Sequence, residues 1–461
     1  MKISKKKLII AGIIVIVLAA AGVYPILNKS GVKSIGIGKS NVLSIYTLQV
    51  NGKNSIQMQT WIDNFKKKYP NINIKETPIG IENNEYSKKL LANSLSGNGP
   101  DVLYFNPEEL NVHSMQKSQI LADLKPFVEK DKDFDAENYS KAVLNAGKHN
   151  GKITFIPLDY YVDSYITTDK LLESSGVKLG NNMSQNDFIE AASKYISSIN
   201  RSKNKTLFAY PISITNFLAS SGIDFVDYEN KKTYFNKPEF RKVIDNYKKI
   251  YNSSPKQTEI TATSGEEGYD AIKAGTTLFS DDRLFLSDLL ESESKIKGVT
   301  GETQIINSMP TYNGTDKVIA MAGECMAINK SSKNKKAAYD FIKTALSTEI
   351  KVKSKGNFVP LEYIPASKKS RDITFNQYLE NEVGKTEQIS KHDGSITMLK
   401  PSNELQAYYN KITQNIEKTE VYDPTLDDLM MKCLTPYLEG KESYDSVLKD
   451  LQEKVKVYLN E

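Results

Sequence analysis

VLSIYTL, residues 42–48, is an apolar run short enough to be one buried strand, and the alternation of helices and strands after it decides the fold. Ile56, Trp61, Ile62, Phe65 and Tyr69 recur at helical spacing, and Pro70 ends that helix. Ile72–Ile79 (INIKETPI) alternates apolar and polar residues, which predicts a second strand. A second helix is predicted from Glu85 to Leu95, broken by Gly97, Gly99 and Pro100. Val102–Phe105 (VLYF) then gives a third, fully buried strand. This is a βαβαβ opening, so a parallel sheet with right-handed crossovers is expected. Ligands of such sheets sit beyond the C-terminal ends of the strands. The loops after Leu48 and Phe105 are therefore the natural contacts.

Working outward, the middle of the chain reads as more helical, with strand-like pieces at Thr206–Ile212 and Thr277–Phe279. Val318–Asn329 reads as one long strand. Ala337–Leu346 is a helix with Ala338, Phe341, Ile342 and Ala345 on one face. Lys385–Glu404 is polar and punctuated by Gly and Pro, hence a loop. The last helix carries Val447, Leu448, Leu451, Val455 and Leu459 in register. At the other end, Lys2, Lys5, Lys6 and Lys7 precede an uncharged stretch from Leu8 to Leu27. Such a run can span a hydrocarbon core of ~30 Å, with its C-terminal side outward. Ala19-Ala20-Ala21 also offers a signal-peptidase site. Residues 1–27 are thus a signal segment or a transmembrane anchor, and residues 28–41 a flexible tether. No cysteine follows the apolar run, so no lipid attachment is expected.

The 461 residues carry 61 basic and 56 acidic side chains, a formal net charge of +5, too weak an excess to imply nucleic acid. Three histidines and two distant cysteines, Cys325 and Cys433, argue against zinc; a Cys325–Cys433 bridge needs the fold to bring them together. Gly38-Lys39-Ser40 imitates the end of a P-loop, but Lys33 stands where the first Gly belongs. Asp131, Asp133 and Asp135 imitate a calcium loop, but Ala136 and Ala142 replace its Gly and Glu, leaving a solvated acidic turn. His113, His149 and His392 lack partners for catalysis and read as surface or loop residues. No cofactor is expected.

Five motifs, in order, resemble the extracellular solute-binding proteins of the family that includes maltose-binding proteins. They are Gly99-Pro100-Asp101-Val102, Leu121–Phe127 (LADLKPF), Gly151–Val177 (GKITFIPLDYYVDSYITTDKLLESSGV), Phe235–Glu239 (FNKPE) and Ile328–Ala338 (INKSSKNKKAA). The resemblance implies an α/β, type II, two-lobed periplasmic-binding-protein-like fold. It implies one lobe of 42–158 with 314–358 and another of 159–313 with 359–461. The chain would cross near Pro157-Leu158-Asp159, Tyr312 and Val359-Pro360. It further implies no enzyme activity, but a monomeric binding component of an ABC importer, outside the membrane, closing over a small ligand such as a sugar.

Sugar sites need aromatic faces and acceptors for hydroxyl pairs. Asp159, Tyr160 and Tyr161 supply both at the first crossing, although strand alternation buries at least one ring. Tyr104, Phe105 and Asn106 end a strand at the cleft edge, where Asn106 is the expected contact and Phe105 is expected in the core. Asp281 and Asp282 follow a short strand and suit ligand contact or capping of a helix near Leu284-Phe285. Glu324 follows Gly323 where the family often carries Trp; that Trp is absent, which disfavours a long oligosaccharide stack. Gln49 and Asn51 follow the first strand. A tethered receptor coupled to a sensor kinase fits the same features, and a surface glycosidase using paired carboxylates fits them less well.

Overall fold

The computed structural model describes residues 41–50, 53–80, 85–199, 205–256, 266–282, 286–347, 363–388 and 395–461. The signal or anchor segment, residues 28–40 of its tether, Asn51, His392 and the crossing at Val359-Pro360 lie outside these. Among the described residues no helix is long and apolar enough to cross a membrane.

The βαβαβ opening forms as expected. Strand Val42–Val50 pairs in parallel with both Asn73–Gly80 and Val102–Phe105, and helices Ile56–Lys68 and Glu85–Leu95 make the crossovers. Leu43, Ile45 and Thr47 are buried on one face of the first strand, the period-2 pattern of a covered sheet. Met58, Trp61, Ile62 and Phe65 give the first helix its buried stripe, and Phe65 meets Phe341 of helix Lys335–Ser347 at 5.3 Å. The sheet continues antiparallel through Cys325–Ile328 to Ile156–Pro157.

The motifs have local physical reasons. The Asp101 carboxylate accepts from Ser44 N–H and Oγ, each at 2.8 Å, and from Ser332 Oγ at 2.5 Å, pinning three distant segments. A Cβ on Gly99 would lie 2.8 Å from the backbone of Ser94, so that position tolerates only glycine. Asp123 Oδ1 accepts from the amides of Lys125 and Ile153.

A second sheet runs Thr206–Phe208, Thr277–Asp282, Ser164–Thr168, Gln304–Ser308. Over it lies a second core, where Tyr165, Phe188, Phe208 and Phe279 interlock at 5.0–6.3 Å. The C-terminal helix Tyr444–Asn460 buries Val447, Leu451, Val455 and Leu459 there, against helix Pro424–Leu438.

Between the two sheets is a third, ordered Ile364–Pro365, Asp159–Tyr161, Val318–Ala322, Ile416–Glu420. The predicted strand Val318–Asn329 is in fact two strands, because the chain changes sheets at Gly323-Glu324. Val318–Ala322 pairs within the third sheet and Cys325–Ile328 within the first. The neighbouring chain changes sheets beside it, between Ile156–Pro157 and Asp159–Tyr161.

Three further expectations are corrected. Lys385–Glu404 is not all loop: Thr386–Gln388 and Ser395–Thr397 form a hairpin, with Ile396 buried, and a helix starts at Asn403. Cys325 and Cys433 are both buried and free, each in a different core, so no bridge forms. Asp131 is not merely solvated. It pairs with Lys343 at 2.6 Å and accepts from Tyr339. Burial acts to raise its carboxyl, but Lys343, the Asp133 amide and Tyr339 outweigh that and hold it below the usual range.

Candidate functional site

The two sheet changes place a polar turn against a polar strand end. Asp159 is 2% exposed, and its Oδ1 accepts the Glu324 N–H at 2.6 Å. Its carbonyl accepts the Gly323 N–H at 3.1 Å. A Cβ on Gly323 would lie 2.4 Å from Asp159 Oδ1 and 2.7 Å from the Tyr363 ring, which is why glycine makes this turn. The Asp159 carboxylate therefore fixes the turn instead of standing open toward a ligand.

Glu324 is itself nearly buried, and its Oε1 accepts from Asn106 Nδ2 at 3.3 Å. Asn106 Oδ1 accepts the Glu108 N–H at 2.9 Å, folding the loop after Val102–Phe105 back on itself. That turn presents Glu108, whose Oε1 accepts from the Tyr161 hydroxyl at 2.6 Å. The Tyr161 ring packs on Tyr363 at 5.2 Å between centroids, with Met321 against both and Tyr422 at the edge of the group. Burial, with Glu108 and Glu324 close by, pushes the Tyr363 hydroxyl well above the ordinary tyrosine range, against a hydrogen bond with Asn106. Burial beside Asp159 and Glu324 likewise pushes the Cys325 thiol well up, so this cysteine stays an unreactive thiol.

Thus Asp159, Tyr161, Asn106 and Glu324 are brought together. Tyr160 is not: alternation turns it into the core, fully buried, with its hydroxyl donating to the Ile412 carbonyl at 3.2 Å. Asp281 and Asp282 lie inside the second-sheet strand, opposite Tyr165 and Ser164, and not in a loop after it. The next helix begins at Leu286, and Leu284-Phe285 lie outside the described residues. Gln49 does not follow the first strand but lies within it, paired with Gly80 and Asn54, and donates to Asn54 Oδ1 at 3.3 Å. Phe105 is core, as expected, and Tyr104 is buried as well, edge-on to Trp61. Sequence reasoning missed Glu108, Tyr363 and Tyr422. The first is one turn beyond Asn106 and was within reach. The tyrosines are not, since only the pairing of Ile364 with Tyr160 carries Tyr363 to the group. Among the described residues no cluster of His, Cys, Asp and Glu could hold a metal.

A second set of contacts ties the first-sheet side to the second core. Asp423 is 2% exposed and accepts from Asn111 Nδ2, the amides of Thr425 and Leu426, and the hydroxyls of Tyr228 and Tyr458, at 2.7–3.0 Å. His113 stacks flat on Tyr228, centroids 3.5 Å apart. This is not the surface histidine expected. Burial pushes its imidazole down from 6.5 to about 4, with Asp423 opposing, His149 adding to the shift and Gln116 opposing more weakly.

Residues 60–383 match the family model for bacterial extracellular solute-binding proteins. The fold is similar to the sugar-binding protein MalE from Xanthomonas citri, at 14% identity and a TM-score of 0.62 over 91% of this chain and 97% of that one. It is similar also to an ABC substrate-binding protein from Listeria monocytogenes in complex with cycloalternan, at 17% identity and a TM-score of 0.59 over 91% and 99%. A Thermotoga lettingae solute-binding protein bound with α-D-tagatose gives 15% identity and a TM-score of 0.55 over 91% and 98%. Five sequence motifs, three sheets in this arrangement and a family match over most of the chain agree: this protein belongs to the bacterial extracellular solute-binding proteins.

Proposed function

We propose that the chain captures a carbohydrate outside the cell and delivers it to the permease subunits of an ABC importer, held at the membrane by its N-terminal segment. Its lobes would be 42–158 with 314–358, and 159–313 with 359–461, shutting on ligand. A ligand favours the shut form only by binding it better. The observation that carries the reading is the grouping of Asn106, Glu108, Glu324, Tyr161 and Tyr363 where the chain changes sheets. Amide and carboxylate oxygens suit hydroxyl pairs, and ring faces suit the C–H faces of a sugar. Asp159 would position the Glu324 turn, while Gln49, Asp281 and Asp282 would contribute from the strand ends. The missing family Trp favours a mono- or disaccharide over a longer chain.

A thermal-shift screen of the purified chain against sugars, amino sugars and polyamines tests this. A ligand that binds only the folded chain raises the melting temperature by mass action. A rise with one sugar class, lost in Tyr363→Ala and Glu324→Gln, supports the proposal. A rise with polyamines alone replaces the carbohydrate with a cationic cargo. No rise with any sugar at millimolar concentration sinks the carbohydrate reading.

A further inference from the structure

Beside the Asp423 contacts lies a cavity of about 880 Å³, within the range of small-molecule sites. No side chain of the candidate sugar site lines it. Its walls come from both sides: helix Val112–Lys117 and hairpin Lys148–Ile153 from one, hairpin Val226–Thr233 and the C-terminal helix from the other.

Five lysines line it, Lys117, Lys152, Lys231, Lys330 and Lys335. Among the described residues none of the five pairs with a carboxylate, whereas Lys66, Lys295, Lys343 and Lys418 elsewhere all do. Lys330 Nζ donates to the neutral Gln119 amide oxygen at 3.2 Å, and Lys335 Nζ to the Ser332 carbonyl at 2.5 Å, so their charge stays uncompensated. Three carboxylates share the walls. Two are committed to backbone amides: Asp123 to Lys125 and Ile153, and Glu229 to Asn150. The third, Glu461, leaves the lysines in excess. Like charges around a concave, partly dry wall focus a positive potential that attracts anions.

The floor carries a second, independent sign. Gln116 is 9% exposed, and its Nε2 is fixed on Thr154 Oγ1 at 2.9 Å. Its Oε1 and both ring nitrogens of His113 are buried and make no well-formed hydrogen bond, the two side chains standing only in weak reach of each other. Buried polar atoms in native structures are hydrogen-bonded, and groups left over at a cavity point to a missing polar occupant. Of the two tyrosines that line it, Tyr228 is stacked under His113 and Tyr458 is tied by its hydroxyl to Asn111 and Asp423, which leaves the lysines as the dominant recognition groups.

We propose that this cavity binds a small anion bearing phosphate or carboxylate oxygens, at a site separate from the sugar site. Oxyanions take charge-assisted bonds from lysines and can carry a hydroxyl or acid proton to Gln116 Oε1. Because both sides supply wall residues, a bound anion draws them together.

The test uses the full chain, titrated with inorganic phosphate and with citrate by calorimetry, against sodium chloride at matched ionic strength. Saturable binding of either anion, absent with chloride, is expected. Citrate alone would assign a polycarboxylate, phosphate alone a phosphoryl group. Lys117→Ser and Lys330→Ser should each weaken binding about tenfold, and together about a hundredfold. Both are exposed residues, and circular dichroism checks that the variants fold. Tyr363→Ala should leave anion binding unchanged, which separates this site from the sugar site. Equal response to chloride, no saturable binding, or full affinity in the double variant would overturn the proposal.

Discussion

Gly323→Ala is the sharpest perturbation of the sheet-changing turn. Its new methyl would sit 2.4 Å from Asp159 Oδ1 and 2.7 Å from the Tyr363 ring, both closer than real Cβ contacts allow. Neither neighbour is a loose surface chain: Asp159 is 2% exposed and Tyr363 8%. Two costs arise. Forcing a methyl into a packed site costs about 1–3 kcal/mol. Moving Asp159 Oδ1 away also strips the 2.6 Å bond to the Glu324 amide, and a buried charged-group hydrogen bond is worth about 1.5–3 kcal/mol. We expect a loss of about 2.5–6 kcal/mol, read as a fall in the urea midpoint at unchanged slope. Asp159→Asn should lose less, since an amide oxygen still accepts. Because the turn carries Glu324, Gly323→Ala should also weaken the ligand found by the screen even where the protein remains folded. A midpoint within about 0.5 kcal/mol of the parent would refute the argument that contact with Asp159 and Tyr363 dictates this glycine.

Other outcomes are as definite. Phe65→Ala empties a fully buried site between two helices and should cost about 3–5 kcal/mol by denaturant titration, with ligand affinity intact. Tyr160→Phe should cost about 1 kcal/mol and leave binding alone, while Tyr161→Phe should alter binding, since only Tyr161 faces Glu108. His113 is held neutral, its folded value about 4 against an ordinary 6.5. The unfolded chain therefore binds the extra proton between those values. Stability should fall as pH drops from 6.5 toward 4 and level off below, and His113→Phe should flatten that limb in pH-dependent melting. Asp131 is held low, so its contribution is present above the ordinary carboxylate value and lost as pH falls through the folded one. Lys343→Met should move that acid loss to higher pH.

The parallel opening was legible because each element there is fixed locally: helical spacing from Ile56 to Tyr69, alternation from Ile72 to Ile79, and a Gly-Pro stop before VLYF. The division of Val318–Asn329 was not legible, because an apolar run shows burial but not which sheet it joins. Gly323 hinted at it, yet the reason for the break is Asp159, 164 positions away. For the same reason the sequence could place Asp159, Tyr161, Asn106 and Glu324 in one region but could not assign their roles. Alternation predicts that one of Tyr160 and Tyr161 is buried in the core. Both are buried in the structure: Tyr160 joins the main core with its hydroxyl on the Ile412 carbonyl, and Tyr161 joins the small cluster with Met321 and Tyr363. His113 looked like a surface residue because nothing near it in sequence announces Tyr228.

The Asp423 contacts have a consequence for where such a protein works. A charge held by lysine or arginine is weakened by dissolved salt, which screens over about 8 Å at physiological strength. Asp423 is held by an amide, two backbone N–H groups and two phenols, all neutral. Salt has no purchase on such a fastening. As ionic strength changes, this joint should keep its strength, while the lysine-lined cavity proposed next to it would answer to oxyanions and not to chloride.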